Sequence, residues 1–150
     1  MSYYKAIQLT NTNVGAVAVD TLMPLGNLTR RINSENCTSY PFATTTSNID
    51  TIVINDCGYY KITYNASVVA GAAGVVTFNI LLNGNVIYTI SETAAAEGDT
   101  VNMTGIYEIR VNPNSCCNPS NLPVNVQVEL LTTALTGGNT NILVELVNID

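Results

Sequence analysis

Apolar and polar residues alternate along much of the second half of the chain, with the period of two that is typical of a half-buried β-strand. In residues 58–68, polar residues separate apolar ones that share a single face: Tyr60, Ile62, Tyr64, Ala66 and Val68. The same alternation marks residues 101–111 and 124–130. We therefore predict three strands, each with one face turned toward a core and one turned away from it.

Turn motifs separate these segments. Asn83-Gly84 directly follows the apolar segment 75–82, and Asn-Gly between two apolar segments is the strongest short hairpin signal. Residues 112–121 contain two prolines and predict a loop, and residues 137–139, Gly-Gly-Asn, predict the last turn. No segment repeats apolar residues at helical spacing. The spacing of strands and turns predicts an all-β antiparallel sandwich or jelly roll, in one domain that spans residues 1–150.

The first 48 residues carry weaker signals. Ile7 and Leu9 flank a polar residue, and residues 14–19 are apolar. The next apolar cluster is interrupted by Pro24, and residues 37–48 are rich in Thr, Ser and Asn. Two alternatives stay open for this region. It contributes the first strands and a long loop of the jelly roll, or it is a docking arm.

The last apolar segment, residues 142–149, departs from the alternation because both of its faces are apolar. Ile142, Val144 and Leu146 fall on one face, and Glu145 is the only charge in the segment. The opposite face carries Leu143, Val147 and Ile149. One face is expected to fill the sandwich, so the other predicts contact with a partner subunit. The sequence does not distinguish which face is which.

Composition supports self-association and excludes some partners. Only 11% of residues are charged, against about 25% in an ordinary soluble domain. With few charges to solvate its surface, the chain is expected to cover apolar surface with other copies of itself. Five basic and 11 acidic residues argue against a nucleic-acid partner. No apolar segment reaches the roughly 18 residues of a membrane span, and no signal peptide is visible, so we expect synthesis in a host cytoplasm without membrane insertion.

Four motifs resemble the tumour-necrosis-factor-like jelly roll, the superfamily of the complement globular head: the Gly58-Tyr59-Tyr60 strand, the apolar strand into Asn83-Gly84, the turn at residues 98–101 and the buried strand from Ile142. The resemblance covers about residues 49–150. It implies a trimeric binding head and no enzyme, with the last strand near the three-fold axis. The opening Asn-Thr-Asn, a cysteine-containing loop and the Gly-Tyr-Tyr strand are similar to heads of phage fibres and bacterial spore-surface filaments. The chain has no collagen-like stalk, which favours a decoration protein or a fibre tip.

These patterns predict a homotrimer. Its interface candidates are Tyr59, Tyr60, Tyr64, Ile142, Leu143, Val144, Leu146, Val147 and Ile149. The tyrosines are also candidates for a sugar-stacking platform, although packing explains them more simply. Cross-link candidates are Cys37, Cys57, Cys116 and Cys117. Reduced thiols, which the absence of an export signal favours, and disulfides formed after release both stay open, and the lack of His and of Cys-x-x-Cys disfavours a metal site.

The inventory of reactive groups predicts no catalytic, cofactor or metal site. The chain has no His, only two Lys, and dispersed acidic residues, so nucleophilic and acid–base chemistry lack their usual partners. Asp99 lies in no calcium-loop pattern. Our first functional hypothesis is a structural jelly-roll protein of a phage particle, a capsid decoration or fibre head at the virion surface. The alternatives are an adhesin head that binds a cell-surface glycan or protein, and a structural protein of a spore surface.

Overall fold

A computed structural model of the chain describes residues 4–33, 40–111 and 122–148, and in this part eleven β-strands form two antiparallel sheets. The strands are β1 (Lys5–Asn11), β2 (Thr21–Leu22), β3 (Asn27–Asn33), β4 (Phe42–Thr44), β5 (Ile52–Ile54), β6 (Gly58–Ala70), β7 (Gly74–Leu82), β8 (Asn85–Ala94), β9 (Thr100–Val111), β10 (Val124–Thr132) and β11 (Leu135–Asn148). The prediction of an all-β fold is confirmed: these residues contain no helix. The described residues therefore contain no apolar helix of a length that could cross a membrane.

The two sheets interleave strands that are distant in sequence. Sheet A has the order β3-β1-β11-β6-β9, and sheet B has the order β4-β5-β10-β7-β8, with β2 paired to β10. The first described strand therefore lies beside the last one, and the arrangement is the predicted antiparallel jelly roll. Strands β1 to β4, which lie in the first 48 residues, pair within both sheets.

The turn between β7 and β8 forms where the sequence predicts it. Asn83 and Gly84 have φ angles of 50° and 82°, and a type I′ hairpin turn, which matches strand twist, requires positive φ at both central residues. Glycine adopts this region without steric cost, and asparagine adopts it more readily than most residues. The pairing of Leu82 with Asn85 closes the hairpin, so the predicted turn is confirmed.

The predicted turn at residues 137–139 is wrong. These residues belong to β11, where they pair with Val69, Val68 and Ser67 of β6. The chain reverses earlier, at Thr133, whose φ angle is 60°. A side chain at Gly138 would overlap the backbone of β6, and its φ of +127° also favours glycine. The glycine therefore permits close approach of two strands and does not mark a turn.

The core fills the space between the sheets with alternate residues of each strand. Three aromatic pairs join the sheets, with ring centroids 5.6 Å apart for Tyr64 and Phe78, 5.7 Å for Phe42 and Tyr60, and 5.4 Å for Tyr88 and Tyr107. Two of them meet edge to face, which is the geometry that aromatic quadrupoles favour. Because the inner residues of sheet A meet those of sheet B, the outer face of each sheet is left to contact other molecules.

Candidate subunit interface

The structure divides the predicted interface residues between the two faces of sheet A. Five of them are at most 3% exposed and fill the core: Tyr60, Tyr64, Ile142, Val144 and Leu146. Buried inside their own subunit, they have no surface to offer a neighbour, and the prediction is corrected for these five. Tyr59 and Leu143 have the opposite parity in their strands and lie on the outer face. Val147 lies at a register shift between β11 and β6, and its exposure assigns it to the outer surface. Ile149 lies outside the described residues.

A charged band crosses the outer face of sheet A. In the strand register, Lys61 of β6 lies opposite Glu145 of β11 on one side and opposite Glu108 of β9 on the other. The hydroxyl group of Tyr4 donates a hydrogen bond of 2.7 Å to Oε2 of Glu145. We call Glu145, Lys61 and Glu108 the charged band. Its signs alternate across three neighbouring strands, and opposite charges facing each other across strands stabilise a sheet.

An apolar band lies one step along the strands from the charged band. It consists of Leu143, Thr63 and Ile106, which are aligned across β11, β6 and β9. Ile106 is 52% exposed, and Val147, beyond the charged band, is 49% exposed. Ile106 is missing from the predicted interface residues, although its position gives a signal: it is the one apolar residue among the outer-face positions of β9. Exposed apolar side chains grouped on one sheet face are typical of a surface that another molecule covers.

An amide band follows at the next level. It consists of Asn141, Asn65 and Thr104, and beyond it Asn139, Ser67 and Asn102 continue the polar surface around a concavity of about 400 Å³. Oγ1 of Thr104 donates to Oδ1 of Asn65 at 2.7 Å, and Nδ2 of Asn141 donates to Oγ1 of Thr10 at 2.8 Å. These uncharged groups accept and donate hydrogen bonds but have no proton to transfer near neutral pH. The band can therefore recognise a polar surface.

Basic residues are confined to one side of the sandwich. All five lie in strands of sheet A: Lys5, Arg30, Arg31, Lys61 and Arg110. The strands of sheet A contain two acids, Glu108 and Glu145, whereas those of sheet B contain Glu92 and Glu129 and no basic residue. On a chain of net charge −6, sheet A is thus the one side where both signs are mixed.

Two arginine side chains of sheet A lie over tyrosine rings. The guanidinium carbon of Arg31 lies 4.1 Å from the ring centre of Tyr40, and that of Arg110 lies 5.4 Å from the ring centre of Tyr59. Burial raises the pKa of Tyr40 to about 12, although the nearby charge of Arg31 opposes the rise. The stacking holds Arg110 and Tyr59 together at the end of the outer face, next to the charged band.

Burial also raises the pKa of two core tyrosines, Tyr60 and Tyr64. The hydroxyl group of Tyr60 donates a hydrogen bond of 2.9 Å to the carbonyl oxygen of Asp56. The Thr140 hydroxyl lies near that of Tyr64 and partly offsets the rise in its pKa, yet neither of these two oxygens makes a hydrogen bond of good geometry. A tyrosine whose pKa is raised stays neutral at physiological pH, so these hydroxyls serve packing and supply no base.

The expectation of reduced cysteines changes at Cys57. Cys57, which precedes β6, is disulfide-bonded, so the expectation of four reduced thiols is wrong there. The other cross-link candidates, Cys37, Cys116 and Cys117, lie outside the described residues. Within the described ranges, no group of three or more His, Cys, Asp or Glu side chains is arranged to hold a metal ion.

Comparisons with known proteins identify the fold. No protein-family model matches the sequence, and a search of curated proteins found no match. Among solved structures, the PRD1 vertex protein P5 matches with a TM-score of 0.63 and 15% identity over 99% of this chain and 100% of that one. Eiger TNF from S. frugiperda has a TM-score of 0.68 and 7% identity over 97% and 93% of the two chains.

The globular domain of zebrafish complement 1qA protein is also similar, with a TM-score of 0.64 and 8% identity over 95% of this chain and 96% of that chain. The matches extend over nearly the whole length of each protein, while the identities are low. They establish a tumour-necrosis-factor-like jelly roll, the fold that the sequence motifs predict.

Proposed function

We propose that the protein is a homotrimeric structural component of a phage particle, a capsid decoration or fibre head, that acts by assembly without a reaction or a cofactor. One observation carries the proposal: the outer face of sheet A presents half-exposed apolar residues that the sandwich does not cover. Ile106 and Val147 are 52% and 49% exposed there, and Leu143 lies beside Ile106 in the register.

Self-association explains this face better than exposure to water does. A subunit with 11% charged residues has little capacity to solvate an apolar sheet, and covering it with a second copy removes that surface from water. Closed symmetry limits the assembly to a defined number of copies. A trimer is the number that the resemblance to the complement head and tumour-necrosis-factor superfamily implies.

The particle role is supported by one structural neighbour. The P5 protein of phage PRD1 is a vertex protein, and its fold matches this chain over 99% of one and 100% of the other. No specific observation in the described residues favours the adhesin or the spore-surface alternative.

Two measurements test the proposal. Light scattering at micromolar concentration should give a mass three times the 16.0 kDa of the chain, and a stable monomer would contradict the trimer. Labelled electron microscopy of particles from cells that produce the protein should place it on the virion surface. Label found only on free protein, with unlabelled particles in the same field, would contradict the virion role and leave the trimer standing.

A further inference from the structure

We infer that one end of the sandwich is a docking surface for a different protein, whose own surface combines apolar side chains with Lys or Arg. We call this surface the acidic end and define it by four segments: residues 16–20, 71–75, 95–99 and 131–134. It lies at the ends of the strands and not on the outer face of sheet A. The inference therefore goes beyond the proposed function and does not depend on the number of copies that associate.

Backbone hydrogen bonds hold the four segments together. The amide of Gly71 donates to the carbonyl oxygen of Ala134 at 2.8 Å, which joins the second segment to the fourth. The amide of Asp20 donates to the carbonyl oxygen of Leu130 at 2.7 Å, which joins the first segment to β10. In the third segment, the carbonyl oxygen of Asp99 accepts a hydrogen bond of 2.9 Å from the last residue of β6. The acidic end is thus formed before any partner arrives.

Exposed side chains of the acidic end are short or apolar. Val19, Val75 and Leu131 are 41%, 46% and 40% exposed. The pairing of β2 with β10 sets the first beside the third, and the hydroxyl group of Thr132 donates to the carbonyl oxygen of Val75 at 2.6 Å. Seven of the eight exposed alanines in the described residues also lie here, at positions 16, 18, 72, 73, 95, 96 and 134. Alanine loses no rotamer freedom when a partner covers it, so binding costs little side-chain entropy.

The acidic end has no positive charge of its own. Asp20 and Glu97 are exposed in it, whereas none of the five basic residues lies in the four segments. The basic residue nearest to it in the register of sheet A is Arg30, which is aligned with Thr63 of β6. Seven residues separate Thr63 from the end of β6, and they span about 23 Å. This distance exceeds the Debye length of about 8 Å at physiological ionic strength, so a partner meets only the acidic field.

This combination of groups selects the class of partner. Nucleic acids and anionic membranes carry the same sign of charge as the acidic end, so both are repelled. The four segments contain no aromatic side chain on which a sugar ring stacks. A second copy that docked by the same end would place acids against acids. A protein surface with an apolar centre and basic residues around it complements both the apolar side chains and the acids.

Selection from a peptide library tests the inference. Random dodecapeptides displayed on yeast are selected with the full-length protein at low salt. The enriched peptides should combine apolar residues with an excess of Lys and Arg, and their synthetic forms should bind about tenfold more weakly at high salt, because salt screens exposed charges. No enrichment, or enriched peptides without an excess of basic residues, would overturn the inference.

Two double variants locate the binding. Val75→Ser with Leu131→Ser removes apolar contacts, and Asp20→Asn with Glu97→Gln removes the exposed charges. Asparagine suits position 20, where φ is 60°, because it tolerates this region as aspartate does. Each double variant should bind the enriched peptides about tenfold more weakly at low salt, and the second should also lose most of the salt dependence.

The matched controls are Val86→Ser and Glu108→Gln, at exposed positions outside the acidic end. Both should bind within about twofold of the unmodified protein, as expected for positions outside an interface. If circular dichroism shows that the serine variant does not fold, the charge variant decides alone. Equal losses in variants and controls would overturn the inference. Binding of vesicles of equimolar phosphatidylcholine and phosphatidylserine that the double variants abolish would also overturn it, and either result leaves the proposed trimer standing.

Discussion

Aspartate should unfold the subunit when it replaces Val144, and should only break the assembly when it replaces Val147. Both residues lie in β11, and Val147 stands where the register of β11 with β6 shifts, so their exposure and not their spacing distinguishes them. Val144 is 0% exposed and lies opposite Ile7 and Ile62 in the neighbouring strands, whereas Val147 is 49% exposed. The pair therefore separates a core position from an outer-face position within one strand.

The expected cost at Val144 has two parts. Loss of a buried valine side chain removes about 1.5–3 kcal/mol of hydrophobic stabilisation. A carboxylate without a partner in the core must be protonated, and raising a pKa from its usual value near 4 to above 7 costs about 4 kcal/mol at neutral pH. The sum of about 6 kcal/mol reaches the range of 5–15 kcal/mol that represents the whole stability of a typical domain. At Val147, a half-exposed substitution should change subunit stability by about 0.5 kcal/mol.

Circular dichroism during urea unfolding and light-scattering mass, measured at one protein concentration, distinguish the outcomes. Val144→Asp should give no folded protein, and Val147→Asp should give a strand-rich spectrum with the mass of a single chain. A folded Val144→Asp protein with unchanged unfolding would refute the placement of this side chain in the core. A trimeric Val147→Asp protein would refute its place in the interface.

Three further predictions concern the subunit itself. Tyr64→Phe should leave stability in urea unfolding unchanged or raise it by about 1 kcal/mol, because its buried hydroxyl has no good hydrogen-bond partner. Tyr60→Phe should lower stability by about 1 kcal/mol, because its hydroxyl donates a hydrogen bond to the Asp56 carbonyl oxygen. Equal losses for the two variants would contradict this. Gly138→Ala should lower stability by about 1–3 kcal/mol and Gly137→Ala by much less, since only the first side chain meets backbone, and equal melting temperatures would count against the close approach. The contribution of three tyrosines to stability should be constant below pH 10 and fall above it. The folded state holds the phenolic protons of Tyr40, Tyr60 and Tyr64 more tightly than the unfolded state, in which the pKa is 10.0. Ionisation of all eight tyrosines near pH 10 without loss of structure would contradict that sign.

The parts of the fold that depend on local sequence patterns were the most predictable. The alternation in β6, β9 and β10 depends only on neighbouring residues, because successive side chains of a strand point to opposite faces. Asn83-Gly84 predicted its hairpin for the same reason, since the turn depends on the φ angles of two adjacent residues. Gly137 and Gly138 were misleading, because glycine serves close strand contact as well as turns, and only the position of β6 decides between the two.

The site was less predictable because it depends on pairing between distant segments. Lys61 aligns with Glu145 and Glu108 only through the register of three strands that are far apart in sequence. In β11, both faces are apolar, so periodicity could not assign Val144 to the core. Ile106 could have been predicted as an interface residue, because it is the one apolar residue among the outer-face positions of β9.

The most direct test of the outer face of sheet A as the interface compares Ile106→Asp with Val86→Asp. The two side chains are almost equally exposed, 52% and 55%, but Ile106 lies on sheet A and Val86 on sheet B. Both substitutions should leave the subunit folded, so sedimentation velocity reports assembly alone. The proposed interface predicts single chains for Ile106→Asp and trimers for Val86→Asp. Trimers for Ile106→Asp, or dissociation only for Val86→Asp, would contradict it.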